Sequence, residues 1–234
     1  MAVQPIDPPA TSAPDGDKIL RVVQLYVDGF NDGDRTKFEE AFHIDAWIFF
    51  TGPDGTLYRN QISANFESWA AQKSCIGGRV LSVIQAGDVA SVLLGYDDLD
   101  DLDLADPASN DWVDFHTLLR IDGVWKITNK TATHQTRAAW ASRTHHLTEA
   151  PSAPDRDEIV GVVQYYIDGC NNGGDISLWH KAFHPDASIF CTEPSGSLEQ
   201  GRWLPTTGRI YDEMDGWAAW AASDKPHIDC LSYQ

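Results

Sequence analysis

The run WVDFHTLLR sets Trp112, Asp114, His116 and Arg120 at alternate positions. In a β-strand such residues share one face, while Val113, Phe115, Thr117, Leu119 and Ile121 share the other. If the polar face lines a cavity, Asp114 and His116 form a carboxylate–imidazole pair able to move protons near neutral pH, with Trp112 as an apolar wall. If the apolar face looks inward, the same residues sit on the outer sheet surface or in a subunit interface. Hydrophobicity favours the second arrangement. A further pairing, His43 with Asp45, recurs as His184 with Asp186 in the pattern AFHxDA. A metal site needs at least three converging ligands and two are visible, so this reads as a helix-to-strand corner whose Asp accepts backbone hydrogen bonds, and no metal is expected. Cys75, Cys170, Cys191 and Cys230 show no CxxC spacing, which points to buried thiols rather than zinc ligands or a disulfide framework. The acidic run from Asp97 to Asp111 lacks the turn glycine and closing glutamate of a calcium loop and reads as a solvated hairpin connection. His134, His145 and His146 read as surface residues.

The elements that must position these groups follow from periodicity. Ile19, Val22, Val23, Tyr26, Val27 and Phe30 recur at helical spacing behind Asp17 as N-cap, and Asn31-Asp32-Gly33-Asp34 ends the run. A short second helix spans Lys37 to Phe42, and strand formers follow from Ala46 to Phe50. Gly52-Pro53-Asp54-Gly55 turns into a second short strand, and a third helix is centred on residues 62–71. The runs RVLSVIQ, VASVLLGY, WVDFHTLLRI and VWKITNKTAT complete the order ααββαββββ. That order predicts an α+β fold with helices on one face of a curved antiparallel sheet.

The sequence also repeats. SAPDGDKILRVVQLYVDGFNDGD from Ser12 pairs with SAPDRDEIVGVVQYYIDGCNNGGD from Ser152, and FEEAFHIDAWIFFTGPDGTL from Phe38 pairs with WHKAFHPDASIFCTEPSGSL from Trp179. Nothing in the second copy corresponds to residues 86–136. The expected organisation is a disordered arm at 1–16, a complete domain at 17–140, a linker at 141–156 and a partial second domain at 157–234. The second copy then leaves an open sheet edge and an uncovered helical face, to be covered by strands from another subunit, by the first copy's sheet or by a separate chain, and a homo-oligomer or a partner chain is expected. A net charge of −18 without a basic stripe argues against nucleic acid and anionic membranes as partners. Residues 1–16 lack the basic start and apolar run of a secretory signal, so a cytoplasmic protein is expected.

The helix IxxVVQxYxDGxNxGD, the AFHxDAxIF junction and the closing DFHTLLRIDGVWKITNK resemble the nuclear-transport-factor-2-like superfamily, most closely its lumazine-binding and SnoaL-like branch. The likeness covers residues 17–136 fully and 157–234 in part. It implies a cystatin-like cone, a curved sheet wrapped around helices with an apolar cavity open at one end. The superfold hosts isomerases, dehydratases, cyclases and pure binding modules, so it implies no single activity. Tyr26, repeated as Tyr166, resembles the first-helix tyrosine of bacterial ketosteroid isomerases, which donates a hydrogen bond to a developing enolate. The residue-level reading of Tyr26 is an amphipathic core tyrosine with its hydroxyl at the cavity rim. Where those enzymes carry a carboxylate base, this chain has Phe50, and Cys191 in the second copy. Two functions follow. One is a cofactor-free isomerase, dehydratase or cyclase acting on a small hydrophobic molecule, with Tyr26 as donor and Asp114 or His116 as acid/base. Trp47, Phe49, Tyr58, Phe66, Trp69 and Trp112 would then line the pocket, and Tyr26→Phe and Asp114→Asn would abolish turnover with the fold intact. The other is a ligand-binding or assembly module without catalysis.

Overall fold

A computed structural model describes residues 14–52, 55–73, 76–98, 110–136, 153–187, 191–192, 198–199 and 210–222. Most of the acidic run and of the expected linker, together with Cys75, Cys230, His145 and His146, lie outside these residues, as do the side chains of His134 and Cys191. The chain divides into two units, Met1–Leu147 and Thr148–Gln234.

In the first unit, α1 (Gly16–Asp32) presents Ile19, Val22, Val23, Tyr26, Val27 and Phe30 to the core, all of them buried. Asp15, not Asp17, stands at its N-cap, yet its side chain caps nothing. The carboxylate is drawn away to Lys18 Nζ at 2.6 Å and Arg120 Nη1 at 3.1 Å. Gly33 ends the helix at φ 64°, a left-handed position that favours glycine. The second helix, α2 (Arg35–Ala41), starts earlier than its apolar spacing suggests because Asp34 caps it, accepting from the Thr36 N–H at 2.9 Å. It lies close against α1: a Cβ at Gly29 would come within 2.6 Å of the Phe38 ring. Phe42, expected in that helix, opens β1 (Phe42–Thr51). Then come β2 (Leu57–Gln61), a 3-10 turn over Ile62–Asn65 and α3 (Phe66–Gln72). The meander β3 (Ile76–Ala86), β4 (Val89–Asp98), β5 (Asn110–Ile121) and β6 (Val124–Thr136) completes the unit.

The order of the six-stranded sheet is β2-β1-β6-β5-β4-β3. All neighbours are antiparallel except β1 and β6, which run parallel because β1 enters from the helices and must pair with the last strand of the meander. This is the expected α+β architecture: a curled, unclosed sheet holds the helices against its inner face, and the core lies between them.

The second unit has α4 (Ala153–Asn171), α5 (Ile176–Ala182), the two-residue strands β7 (Cys191–Thr192) and β8 (Leu198–Glu199), a 3-10 turn at Ile210–Glu213 and α6 (Met214–Ala221). Asp175 caps α5 through the Ser177 N–H at 3.0 Å. Gly169 packs against Trp179, and Trp179 joins Ile210 and Met214 in a small core. Cys170 is half-buried, and burial pushes its thiol pKa up.

Candidate functional site

The inner face of the sheet is a grid, and two of its rows carry the chemistry. One row crosses Ile48 of β1, Lys130 of β6, His116 of β5 and Val92 of β4. The next crosses Phe50, Ala132, Asp114 and Leu94. Hydrophobicity favoured the opposite face of β5 as the inner one, and the structure corrects that. Asp114 and His116 are fully buried, whereas Phe115 is 50% exposed. The carboxylate can lie inward because a cation from the next strand is buried beside it.

Lys130 is that cation. Strict alternation along VWKITNK would place it with Lys126 on the solvent side, opposite Trp125 and Ile127. A bulge intervenes: Thr117 pairs with Asn129 and Leu118 with Ile127, which leaves Thr128 as the extra residue. Beyond it the strand's faces exchange, and Lys130 and Ala132 point into the core. Lys130 Nζ lies 2.9 Å from Asp114 Oδ2 and donates to the Tyr26 hydroxyl oxygen at 2.6 Å. The Tyr26 hydroxyl in turn donates to Asp114 Oδ2 at 3.0 Å. Tyr26 is fully buried, so its hydroxyl sits inside the core rather than at a cavity rim.

Aromatic rings enclose the network. Tyr26 meets Phe30, Phe42 and His116 edge-on at 5.2, 5.5 and 5.1 Å between ring centroids. The Lys130 ammonium lies 5.0 Å from the Tyr26 ring centroid and 5.5 Å from that of Trp69. Burial pushes the Asp114 carboxyl pKa up, but the Lys130 ammonium 2.9 Å away outweighs it, so it lies below the ordinary value. Burial lowers the His116 pKa, which Asp114 raises only in part, so the imidazole is neutral near pH 7. The His116 Nε2 is 3.6 Å from Asp114 Oδ2, beyond hydrogen-bond reach. Asp114 Oδ1 and both His116 ring nitrogens are buried and have no hydrogen-bond partner among the described residues.

The expected lining residues separate into two sets. Phe66 and Trp69 pack in the core beside Tyr26. Trp112, half-buried, meets Phe50 edge-on at 5.8 Å, and Tyr58 stacks on Phe50 at 5.0 Å, so these three form an aromatic corner one step from Asp114. Trp47 and Phe49 belong elsewhere. They flank Ile48 on the strand's other face, away from the core that Ala46 and Ile48 join, and pack against each other. Phe50 does occupy the inner face, so no carboxylate stands there. At the AFHxDA corner the roles are the reverse of those expected: the Asp45 N–H donates to His43 Nδ1 at 3.2 Å, as Asp186 N–H does to His184 Nδ1. The imidazole, not the carboxylate, accepts the backbone proton. Arg120 closes the far end of β5 with Asp88, its Nε 2.6 Å from Oδ1. Among the described residues no group of three or more His, Cys, Asp or Glu is placed to hold a metal ion, and no helix is long and apolar enough to cross a membrane.

No curated protein matches the chain. Among solved structures, an NTF2-like protein from Shewanella baltica OS155 is similar at 22% identity and TM-score 0.46, covering 54% of this chain and 98% of its own. An NTF2-like protein from Methylobacillus flagellatus KT is similar at 24% identity and TM-score 0.44, covering 54% and 97%. A cystatin-like domain from Nostoc punctiforme PCC 73102 is similar at 17% identity and TM-score 0.45, covering 68% and 99%. Residues 14–132, just over half of the 234, match the family model described as "Putative lumazine-binding". The chain belongs to that family.

Proposed function

We propose that the first unit binds a small planar heteroaromatic molecule against Asp114 and His116, beneath Tyr26 and beside the corner of Phe50, Tyr58 and Trp112. One observation carries this reading: Asp114 Oδ1 and both His116 nitrogens are buried and unpartnered. Each such atom costs about 1–3 kcal/mol, a penalty that a polar guest removes. Ala132, directly across from Asp114, is the smallest side chain in that row. The family's name agrees with a guest of the lumazine kind, a fused ring with imide edges. The test is calorimetric titration of the full chain with lumazine, alongside Ala132→Leu, which sets a larger apolar side chain directly across from Asp114. Saturable binding that Ala132→Leu abolishes supports the reading. Failure of lumazine and other flat heterocycles to bind the folded protein sinks it.

The catalytic alternative assigns Tyr26 as donor and Asp114 or His116 as acid/base in an isomerase, dehydratase or cyclase. It is the weaker reading. A carboxylate held ionised by Lys130 is a poor proton acceptor, the Tyr26 proton already goes to Asp114, and Phe50 stands where a base would be needed. Binding is therefore placed first.

The second unit is, in this proposal, a partial copy of the first. Matching devices support it: Gln24–Asp28 and Gln164–Asp168 are both at 2.7 Å, the Asp34 and Asp175 caps correspond, and Gly29–Phe38 corresponds to Gly169–Trp179. Its first helix leaves Ile159, Val160, Val162 and Val163 exposed, where the matching positions of α1 are buried or half-buried. Association with a second subunit or another chain would cover them, which light scattering on the full chain tests; a strict monomer at high concentration would argue against it.

A further inference from the structure

The first-unit site contains a buried cation that neither reading requires, and its position alters what the site can recognise. In an apolar pocket with no cation nearby, a buried carboxyl beside a phenol is driven neutral, and the pair then offers two donors to an oxyanion. Here Lys130 Nζ is 2.9 Å from the Asp114 carboxylate and 2.6 Å from the Tyr26 oxygen, and all three side chains are buried. We infer that Lys130 is the specificity-determining residue of this site: it keeps Asp114 a pure hydrogen-bond acceptor, so the pocket selects uncharged planar molecules with an N–H donor edge and rejects enolate- or phenolate-like anions.

The inference rests on the reading that the first unit binds a small molecule there. An ionised carboxylate accepts through both oxygens and donates through neither. Oδ2 is taken by Tyr26 and Lys130, which leaves Oδ1 buried and open only to a donor. The Tyr26 proton is committed to Oδ2, so the phenol has no proton for an incoming anion. The neutral His116 ring supplies one donor and one acceptor, both unpartnered. A lactam or imide edge, N–H beside C=O, answers Asp114 Oδ1 and the imidazole together. The Lys130 charge is cancelled by Asp114, so an anion gains nothing from it and must also face the carboxylate.

The experiment compares three probes on the full chain: lumazine, 1,3-dimethyllumazine with both imide and amide N–H groups blocked, and 4-nitrophenolate at mildly alkaline pH. The wild type is expected to bind lumazine, to bind the dimethyl compound roughly tenfold or more weakly because a hydrogen bond to a charged acceptor is lost, and to ignore the phenolate. Lys130→Met is expected to lose that discrimination and gain phenolate binding, since Asp114 without its cation becomes a protonated donor. Equal wild-type affinity for lumazine and its dimethyl form overturns the inference while leaving the binding reading intact. No binding of either lumazine overturns the binding reading itself. If Lys130→Met does not fold, carbon-13 NMR of the wild-type Asp114 carboxyl decides: titration below the ordinary carboxylate value of about 3.9 supports the inference, and titration above it overturns it.

Discussion

At Asp114 the cost of burying a charge is met by the Lys130 ammonium and the Tyr26 hydroxyl, and the two charged residues stand or fall together. Asp114→Asn leaves the Lys130 ammonium buried and uncompensated, a loss of about 3–5 kcal/mol. The expectation that this change spares the fold is therefore tested by the same measurement. The double variant Asp114→Leu/Lys130→Met removes both charges and should recover most of that loss, which a double-mutant cycle in urea would show; additive losses would mean that the pair is not coupled. His116 behaves differently, because no group among the described residues hydrogen-bonds its ring. His116→Phe keeps the edge contacts to Tyr26 and Phe42 and removes two unpaired polar atoms, so stability should hold or rise while lumazine affinity falls. Stability should also depend on pH in a set direction. The folded His116 pKa is depressed, and so is that of His43, in each case chiefly by burial. The unfolded chain therefore binds more protons than the folded one as pH drops below about 6.5, and stability falls with it. The depressed Asp114 pKa adds a further loss at pH values below about 4. Thermal melts from pH 8 down to 5 check this, and His116→Phe should flatten part of the slope.

At the scale of elements, each helix and strand was legible where its periodicity was uninterrupted. The burial of α1 follows its apolar spacing from Ile19 to Phe30 residue by residue. What could not be read lay where one residue breaks a period. Thr128 is such a residue: as the extra member of the β6 bulge it turns Lys130 inward, and alternation read through it assigns the lysine to solvent. Of the two faces of β5 that the sequence offered, hydrophobicity favoured the wrong one as inward, since Asp114 and His116 look like surface residues until their cation is found. A buried carboxylate on a central strand does call for a cation on a neighbouring one, and that signal would have led to Lys130. Capping was open to a similar error, because Asp15 and Asp17 both suit an N-cap by type; Asp15 takes the place, its carbonyl accepting from the Lys18 and Ile19 N–H groups. The helix pair α1–α2 gives a test at this scale. Gly29→Ala sets a methyl against the Phe38 ring at 2.6 Å, and Phe38 is fully buried and hemmed in by Phe30 and Phe66, so it cannot swing away. A loss of about 1–3 kcal/mol is expected, although alanine is the better helix former. Relief by Phe38→Leu in the Gly29→Ala background would tie the loss to that contact.

At the scale of the whole molecule, the two units differ in how much core they own. The first joins helices from one end of its sequence to strands from the other, and its inner sheet face buries aliphatic residues from β1, β3, β4, β5 and β6 around Tyr26. The second, among the described residues, gathers Trp179, Ile210 and Met214 as its fully buried cluster, and its α4 exposes Ile159, Val160, Val162 and Val163. Burying apolar area at roughly 25 cal/mol per Å² must offset about 1–2 kcal/mol of backbone entropy per ordered residue, and a small core does so poorly. Residues 14–147 expressed alone should therefore unfold cooperatively, with the slowest amide exchange on β5 and β6 around Asp114 and Lys130. Residues 148–234 alone should show helical circular dichroism with weak near-ultraviolet signal and little exchange protection, and should gain protection on associating with whatever covers α4. A monomeric 148–234 fragment with a sharp, cooperative melt would show instead that its core suffices, and would remove the case for a covering partner.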